Sequence, residues 1–190
     1  MKYIIKKEKV VYDSFFKIHE AEITHDKFDG GTLDKKRKAF WRKDSAAILI
    51  HETDTNKLLF TNQFRYPTIN ENGWIIELTA GGIEDNESPE NAIRREVKEE
   101  IGYDLNEVTF ISSFYVSPGG STERIHLFYS EAISNQKRFK GGGEKYEKED
   151  IELVKLSPKE AINELNNNKI RDAKTVIALQ WFKLNFEYDN

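Results

Sequence analysis

Glu96, Glu99 and Glu100 stand at i, i+3 and i+4 in a stretch of helical periodicity, so all three carboxylates project from one helix face. Like charges at that spacing repel by roughly a few tenths of a kcal/mol per pair. A hard divalent cation reverses this cost, because carboxylate oxygens are the ligands that Mg²⁺ and Mn²⁺ prefer. The alternative for such a cluster is a solvated acidic face, and the residues around it decide between the two. The segment reads Gly81, five residues, Glu87, seven residues, Arg95-Glu96-Val97, one residue, Glu99-Glu100, one residue, Gly102. The seven Gly, Glu and Arg positions of this register coincide by chance on the order of 10⁻⁸.

The elements that must position these groups can be read on either side. Ile93, Val97 and Ile101 recur every four positions and anchor a helix over residues 88–101. Ser88 is its N-cap, Pro89 its first residue, Glu90 complements the dipole, and Gly102 ends it. Asn91 takes the place where a capping box needs Glu or Gln, so the reciprocal half of that device is missing. Strands are expected at 3–11, 15–23 and 38–43, with a turn at Phe28-Asp29-Gly30-Gly31. A hairpin follows at 45–51 and 58–64, then a strand at 74–78 running into Thr79-Ala80-Gly81-Gly82. Further strands are expected at 108–116 and 124–128, joined by Ser117-Pro118-Gly119-Gly120, and at 151–156. Residues 135–148, with Gly141-Gly142-Gly143, read as a mobile charged loop. Ser157-Pro158-Lys159-Glu160 is a complete helix start, giving one helix to residue 165 and another over 173–185. The expected class is mixed α/β, with an N-terminal β segment over 1–44 and a compact body over 45–190.

Composition removes several functions. The 190 residues are 38% hydrophobic and 33% charged with a net charge of −4, a balance that disfavours bulk binding to nucleic acid or anionic membranes. No cysteine is present, which excludes disulfides, thiolate zinc sites and cysteine nucleophiles. The four histidines, His19, His25, His51 and His126, lack zinc-ligand spacing. The N-terminus lacks the apolar run of a signal peptide, so a cytoplasmic protein is expected. Lys35-Lys36-Arg37-Lys38 reads as a solvated strand end. Gly141-Gly142-Gly143 lacks the Gly-Lys-Ser/Thr of a P-loop, and Ser121 lacks a nucleophile elbow because Glu123 stands where glycine is needed.

The register from Gly81 to Gly102 resembles the Nudix box, departing at the last box position, where Tyr103 replaces an aliphatic residue that packs rather than reacts. The chain is similar to the group of ADP-ribose and nucleoside-diphosphate-sugar pyrophosphatases, especially the GDP-mannose branch. That likeness is carried by Gln63-Phe64-Arg65, Glu77-Leu78-Thr79-Ala80-Gly81, Ser117-Pro118-Gly119-Gly120 with Glu123, Glu149-Asp150-Ile151, and Ile170-Arg171-Asp172-Ala173-Lys174-Thr175.

The resemblance implies a Nudix α/β/α sandwich and Mg²⁺-dependent cleavage (Mn²⁺ being the alternative ion) of a nucleotide sugar such as GDP-mannose, giving GMP and mannose 1-phosphate. ADP-ribose, giving AMP and ribose 5-phosphate, is the second substrate it allows. By the same resemblance the metals sit on Glu96 and Glu100, with Glu99 direct or through water, completed by the Ala80 carbonyl and a loop carboxylate, Glu149. Glu147 is the candidate base, with Glu100 the other choice, and Arg95 orients a box glutamate, although its spacing equally allows a plain pair with Glu99. Arg42 and Arg65 match diphosphate contacts, Glu123 belongs with the substrate-binding positions, Phe15 matches an aromatic that stacks on the base, and Lys174 lies near the sugar. Ordinary roles compete with each: surface arginine, strand packing, helix-start lysine. The implied assembly is a homodimer through the N-terminal β segment. Two rivals remain: a Nudix domain that senses nucleotide sugars without turnover, which has no need of three adjacent carboxylates, and an RNA-decapping or housecleaning triphosphatase, disfavoured by the acidic charge.

Overall fold

Five consecutive apolar residues, 46–50, form the middle of a strand whose two faces are both covered, and the core is built outward from them. The computed structural model of the chain describes residues 1–143 and 148–187. The strands are β1 (Tyr3–Asp13), β2 (Lys17–Asp26), β3 (Thr32–Trp41), β4 (Ser45–Glu52), β5 (Lys57–Phe64), β6 (Trp74–Glu77), β7 (Thr79–Gly82), β8 (Thr109–Tyr115), β9 (Arg124–Ala132) and β10 (Glu152–Leu156). The helices are α1 (Pro89–Glu100), α2 (Pro158–Asn166) and α3 (Ala173–Asn185), with short 3₁₀ turns at Tyr66–Glu71 and Ser134–Gln136. The chain divides into two compact units, Met1–Asp44 with Tyr115–Arg124, and Ser45–Phe114 with Ile125–Asn190.

In the second unit the strand order is β10-β5-β4-β9-β8, with β6 paired to β5 and β7 to β4. β4 runs parallel to β9 and antiparallel to β5 and β7, so the sheet is mixed. Strand side chains alternate between faces. Ala47 and Leu49 therefore join Leu58, Phe60, Leu127 and Tyr129 against α2 and α3. Ala46, Ile48 and Ile50 meet Ile93, Val97 and Ile101 of α1 on the other side. This is the α/β/α sandwich, and a strand buried on both faces reads as a continuous apolar run for this reason. Ser88 caps α1 by accepting from the Asn91 amide at 3.2 Å, with no reciprocal box. At α2 the Ser157–Glu160 box is complete. No helix among the described residues is long and apolar enough to cross a membrane.

The first unit is a three-stranded antiparallel sheet in the order β1-β2-β3. Its third strand starts at Thr32, six residues before the expected start, because the basic run lies inside it. Lys36 pairs with Glu22 at 2.9 Å and Lys38 approaches Glu20 at 3.9 Å, so acidic β2 complements basic β3. β2 begins at Lys17, which leaves Phe15 in the turn before it. All eleven residues of β1 are exposed.

Candidate active site

β7 and α1 meet at Gly81, and the site is assembled there. A Cβ on Gly81 would lie 1.9 Å from the Glu96 carboxyl carbon, so only glycine leaves room for that carboxylate against the strand. Arg95 holds the group together. Its guanidinium donates to both oxygens of Glu87 at 3.1 Å, to Glu96 Oε1 at 2.8 Å, to Glu99 Oε2 at 3.1 Å and to the Gly82 carbonyl at 3.1 Å. Arg95 thus makes the plain i,i+4 pair with Glu99 and braces the loop between β7 and α1 through Glu87.

Glu100 is treated differently. It is 4% exposed, and its Oε2 is buried with no hydrogen-bond partner among the described residues. Burial, and then the charges of Glu96, Glu149 and Glu77, raise its pKa well above the ordinary value despite Arg65. Burial also pushes Glu96 up to about 7, against the pull of Arg95 and with help from Glu99 and Glu149. An orphaned buried oxygen amid carboxylates that raise one another is a site short of positive charge. Among the described residues no three His, Asp or Glu side chains are drawn around one point as ligands, since Glu96 and Glu99 each lend an oxygen to Arg95. The donor set is nonetheless all oxygen, which fits a hard divalent cation.

A second layer supports the cluster. Arg65 Nε donates to Glu77 Oε1 at 2.7 Å, and Lys174 Nζ to Glu77 Oε2 at 2.5 Å. Lys174 also meets Asp172 at 3.0 Å, while Asp172 caps α3 through Thr175. Burial lowers the Arg65 pKa, but Glu77, Glu100 and Glu149 outweigh it and keep the guanidinium protonated. Sequence reasoning named the motif containing Glu77 without giving that residue a role. A glutamate closing β6, flanked by the apolar Ile76 and Leu78, was the available signal.

The structure therefore gathers Arg95, Glu96, Glu99, Glu100, Glu149, Arg65 and Ala80 in the second unit. Ala80 lies on β7 opposite Ala47. Lys174, the second residue of α3, is only 8% exposed and held between two carboxylates, so its ammonium braces Glu77 and Asp172. Glu147 lies outside the described residues. Phe15, Arg42 and Glu123 belong to the first unit. Phe15 is 91% exposed, its ring edge-to-face with Phe16 at 4.7 Å, so ordinary strand packing does not describe it. Arg42 lies over the Phe16 and Phe40 rings and 3.5 Å from Glu123. Tyr103 is fully buried as expected, and its hydroxyl donates to Glu52.

The NUDIX domain model matches residues 41–182. The chain is 37% identical over 186 residues to a GDP-mannose pyrophosphatase of Shigella flexneri serotype 5b (strain 8401), covering 96% of both. It is 38% identical over 180 residues to a GDP-mannose pyrophosphatase of Escherichia coli (strain K12), covering 93% of both. Its fold is similar to the crystal structure of an ADP compounds hydrolase, with a TM-score of 0.73 and 19% identity over 96% of this chain and 95% of that one.

Proposed function

The chain belongs to the NUDIX family and is a Nudix hydrolase, and on that premise we propose that it hydrolyses the pyrophosphate bond of GDP-mannose to GMP and mannose 1-phosphate. The observation that carries the chemistry is the buried Glu100 oxygen, without a hydrogen-bond partner among the described residues, inside a cluster of four carboxylates. The substrate rests on what the two relatives are named for.

Nudix hydrolases generally use divalent metal ions; here we take the ion to be Mg²⁺, held by Glu96, Glu99, Glu100 and Glu149 with the Ala80 carbonyl. When bound, the cation supplies the positive charge that neutralises pyrophosphate oxygens and acidifies water. The chain's own residues do the rest. Arg95 fixes Glu96 and Glu99 at one distance from each other, so less reorganisation is needed as charge develops. Arg65 keeps a protonated guanidinium beside the cluster, a bidentate partner for a diphosphate once Glu77 is held by Lys174. Glu149, whose charge is felt by Glu96, Glu100 and Arg65, brings the loop's carboxylate to the cluster, and the water-activating base is taken to be Glu147, with Glu100 the other choice. Phe15 offers an exposed ring face to a nucleobase, and Arg42 with Glu123 lies beside the same aromatic group.

The N-terminal unit is proposed to pair with a second copy. Tyr3, Ile4, Ile5, Val10, Val11 and Tyr12 are exposed along β1, an edge strand that another chain can cover. Light scattering at micromolar concentration should give twice the subunit mass; a single-subunit mass overturns the pairing.

One experiment tests the substrate reading: incubation with GDP-mannose, ADP-ribose and other nucleotide sugars in Mg²⁺, with products identified. GMP and mannose 1-phosphate should form fastest. A dominant yield of AMP and ribose 5-phosphate moves the substrate to ADP-ribose, and tight binding without any product returns the chain to the sensor class.

A further inference from the structure

An α-helix leaves its last carbonyls without partners inside the helix. At the end of α1 that need is met by one short stretch of chain. Gly143 N donates to the Glu99 carbonyl at 3.1 Å and Gly142 N to the Glu100 carbonyl at 2.7 Å. Lys137 Nζ reaches the Ile101 carbonyl at 2.7 Å, and the Arg138 and Phe139 amides reach Gly102 O at 2.9 and 3.0 Å. Four successive carbonyls, two of them belonging to the carboxylates of the site, are thus closed by residues 137–143. The Lys98 ammonium lies 4.3 Å from the Phe139 ring centre and ties the same stretch to the helix side.

The three glycines are required by geometry. Gly141, Gly142 and Gly143 have φ of +69°, +102° and +80°, a run of left-handed residues that L side chains resist. A Cβ on Gly141 would meet the Glu100 carbonyl oxygen at 2.8 Å. A Cβ on Gly143 would meet the Glu149 Cβ and Oε2, each at 2.6 Å. The Glu149 Cβ is fixed to its backbone, so that clash cannot be relieved by turning a side chain. The Ile151 amide then returns to Gly142 O at 3.4 Å, which closes the loop at its base. The expectation of a free mobile loop at the glycines is replaced by a docked one.

We propose that Gly141-Gly142-Gly143 is a positioning element of the hydrolytic site, which registers Glu149 against Glu99 and Glu100 by bonding their backbone carbonyls and leaving the Glu149 side chain the space of a missing Cβ. It rests on the reading that these carboxylates serve hydrolysis. The glycines touch no reacting group and act through Glu149.

A double-mutant cycle with an amide-exchange readout tests it, using the full chain. Gly143→Ala should lower kcat by about 100-fold with KM within about twofold, the cost of a misplaced group. In a Glu149→Gln background the same substitution should change kcat by less than about twofold, because the group it misplaces is already disabled. An equal loss in both backgrounds makes Gly143 merely structural and overturns the proposal. Independently of turnover, the Gly142 and Gly143 amides should exchange slowly in the wild-type chain, and exchange as fast as open loop amides contradicts the docking. Gly142→Ala, whose Cβ meets only the Ile151 carbonyl at 4.0 Å, serves if Gly143→Ala fails to fold. It should speed exchange at Gly143 and lower kcat in the wild-type background only. Should Glu149→Gln retain full turnover while both amides stay protected, the functional reading of Glu149 fails and the docking stands.

Discussion

Two buried glutamates lie at opposite fortunes around the same helix. Glu52, at the end of β4, is fully buried and fully answered: Lys155 donates to its oxygens at 2.7 and 2.8 Å, with Thr55 and the Tyr103 hydroxyl as further donors. Burial would raise its pKa, yet those hydrogen bonds win and hold it below the ordinary value. Glu100 at the end of α1 is nearly as buried, is surrounded by like charge, has an oxygen without a partner among the described residues, and is raised well above the ordinary value. Stability alone selects the first arrangement. The second costs stability and fits carboxylates kept for a divalent cation rather than for the fold.

Breaking the second site should have the largest effect. Glu100→Gln keeps the volume and removes a charge, so turnover of GDP-mannose should fall on the order of 10³-fold, the equivalent of several kcal/mol of transition-state stabilisation. The far-UV circular dichroism should be unchanged, since the substitution spares Ile93, Val97 and Ile101.

Disturbing the same site from the strand side comes next. Gly81→Ala displaces the Glu96 carboxylate, which as the far end of a flexible side chain can swing away cheaply. Steady-state kinetics should show a loss of about 100-fold in kcat. The unfolding free energy should move by less than about 1 kcal/mol.

Glu52→Gln should do the reverse. Loss of charge-assisted hydrogen bonds there should cost about 1.5–3 kcal/mol of stability in denaturant titration at pH 7, with kcat unaltered. The sign with pH follows from the depressed folded pKa. Wild-type Glu52 contributes stability above the ordinary glutamate value of 4.5, and that contribution is lost as the pH falls through its lower folded value. The gap between wild type and variant should therefore narrow in acid.

These two glutamates also mark where sequence reading succeeds and where it stops. Glu100 was legible because its chemistry is local: the carboxylates, Arg95, Glu87 and Gly81 all fall within one register of 22 residues. The Ser88 and Ser157 caps were legible for the same reason, since a cap is decided within a few residues. Glu52 lies just past the expected strand 45–51 and carried no signal of its own, because its partners Tyr103 and Lys155 lie 51 and 103 residues away. The early start of β3 was hidden likewise, its lysines being neutralised across the strand by Glu20 and Glu22. Lys174 shows the limit on the site itself. Its motif marks the place, but only the fold reveals that Glu77 and Asp172 already hold the ammonium.

The claim that the α1 carboxylates are kept at a cost for a cation is tested most directly by thermal unfolding of wild type and Glu100→Gln at pH 8, in chelator and then in excess Mg²⁺ or Mn²⁺. A raised folded pKa means stability that is full below the ordinary value and is lost as the pH rises through the folded value, about 7 for Glu96 and likewise raised for Glu100. At pH 8 without metal, Glu100→Gln should therefore unfold at a higher temperature than wild type. The divalent ion should raise the wild-type midpoint and move the variant far less. A variant less stable than wild type in chelator, together with a wild-type midpoint that ignores the ion, would contradict the account.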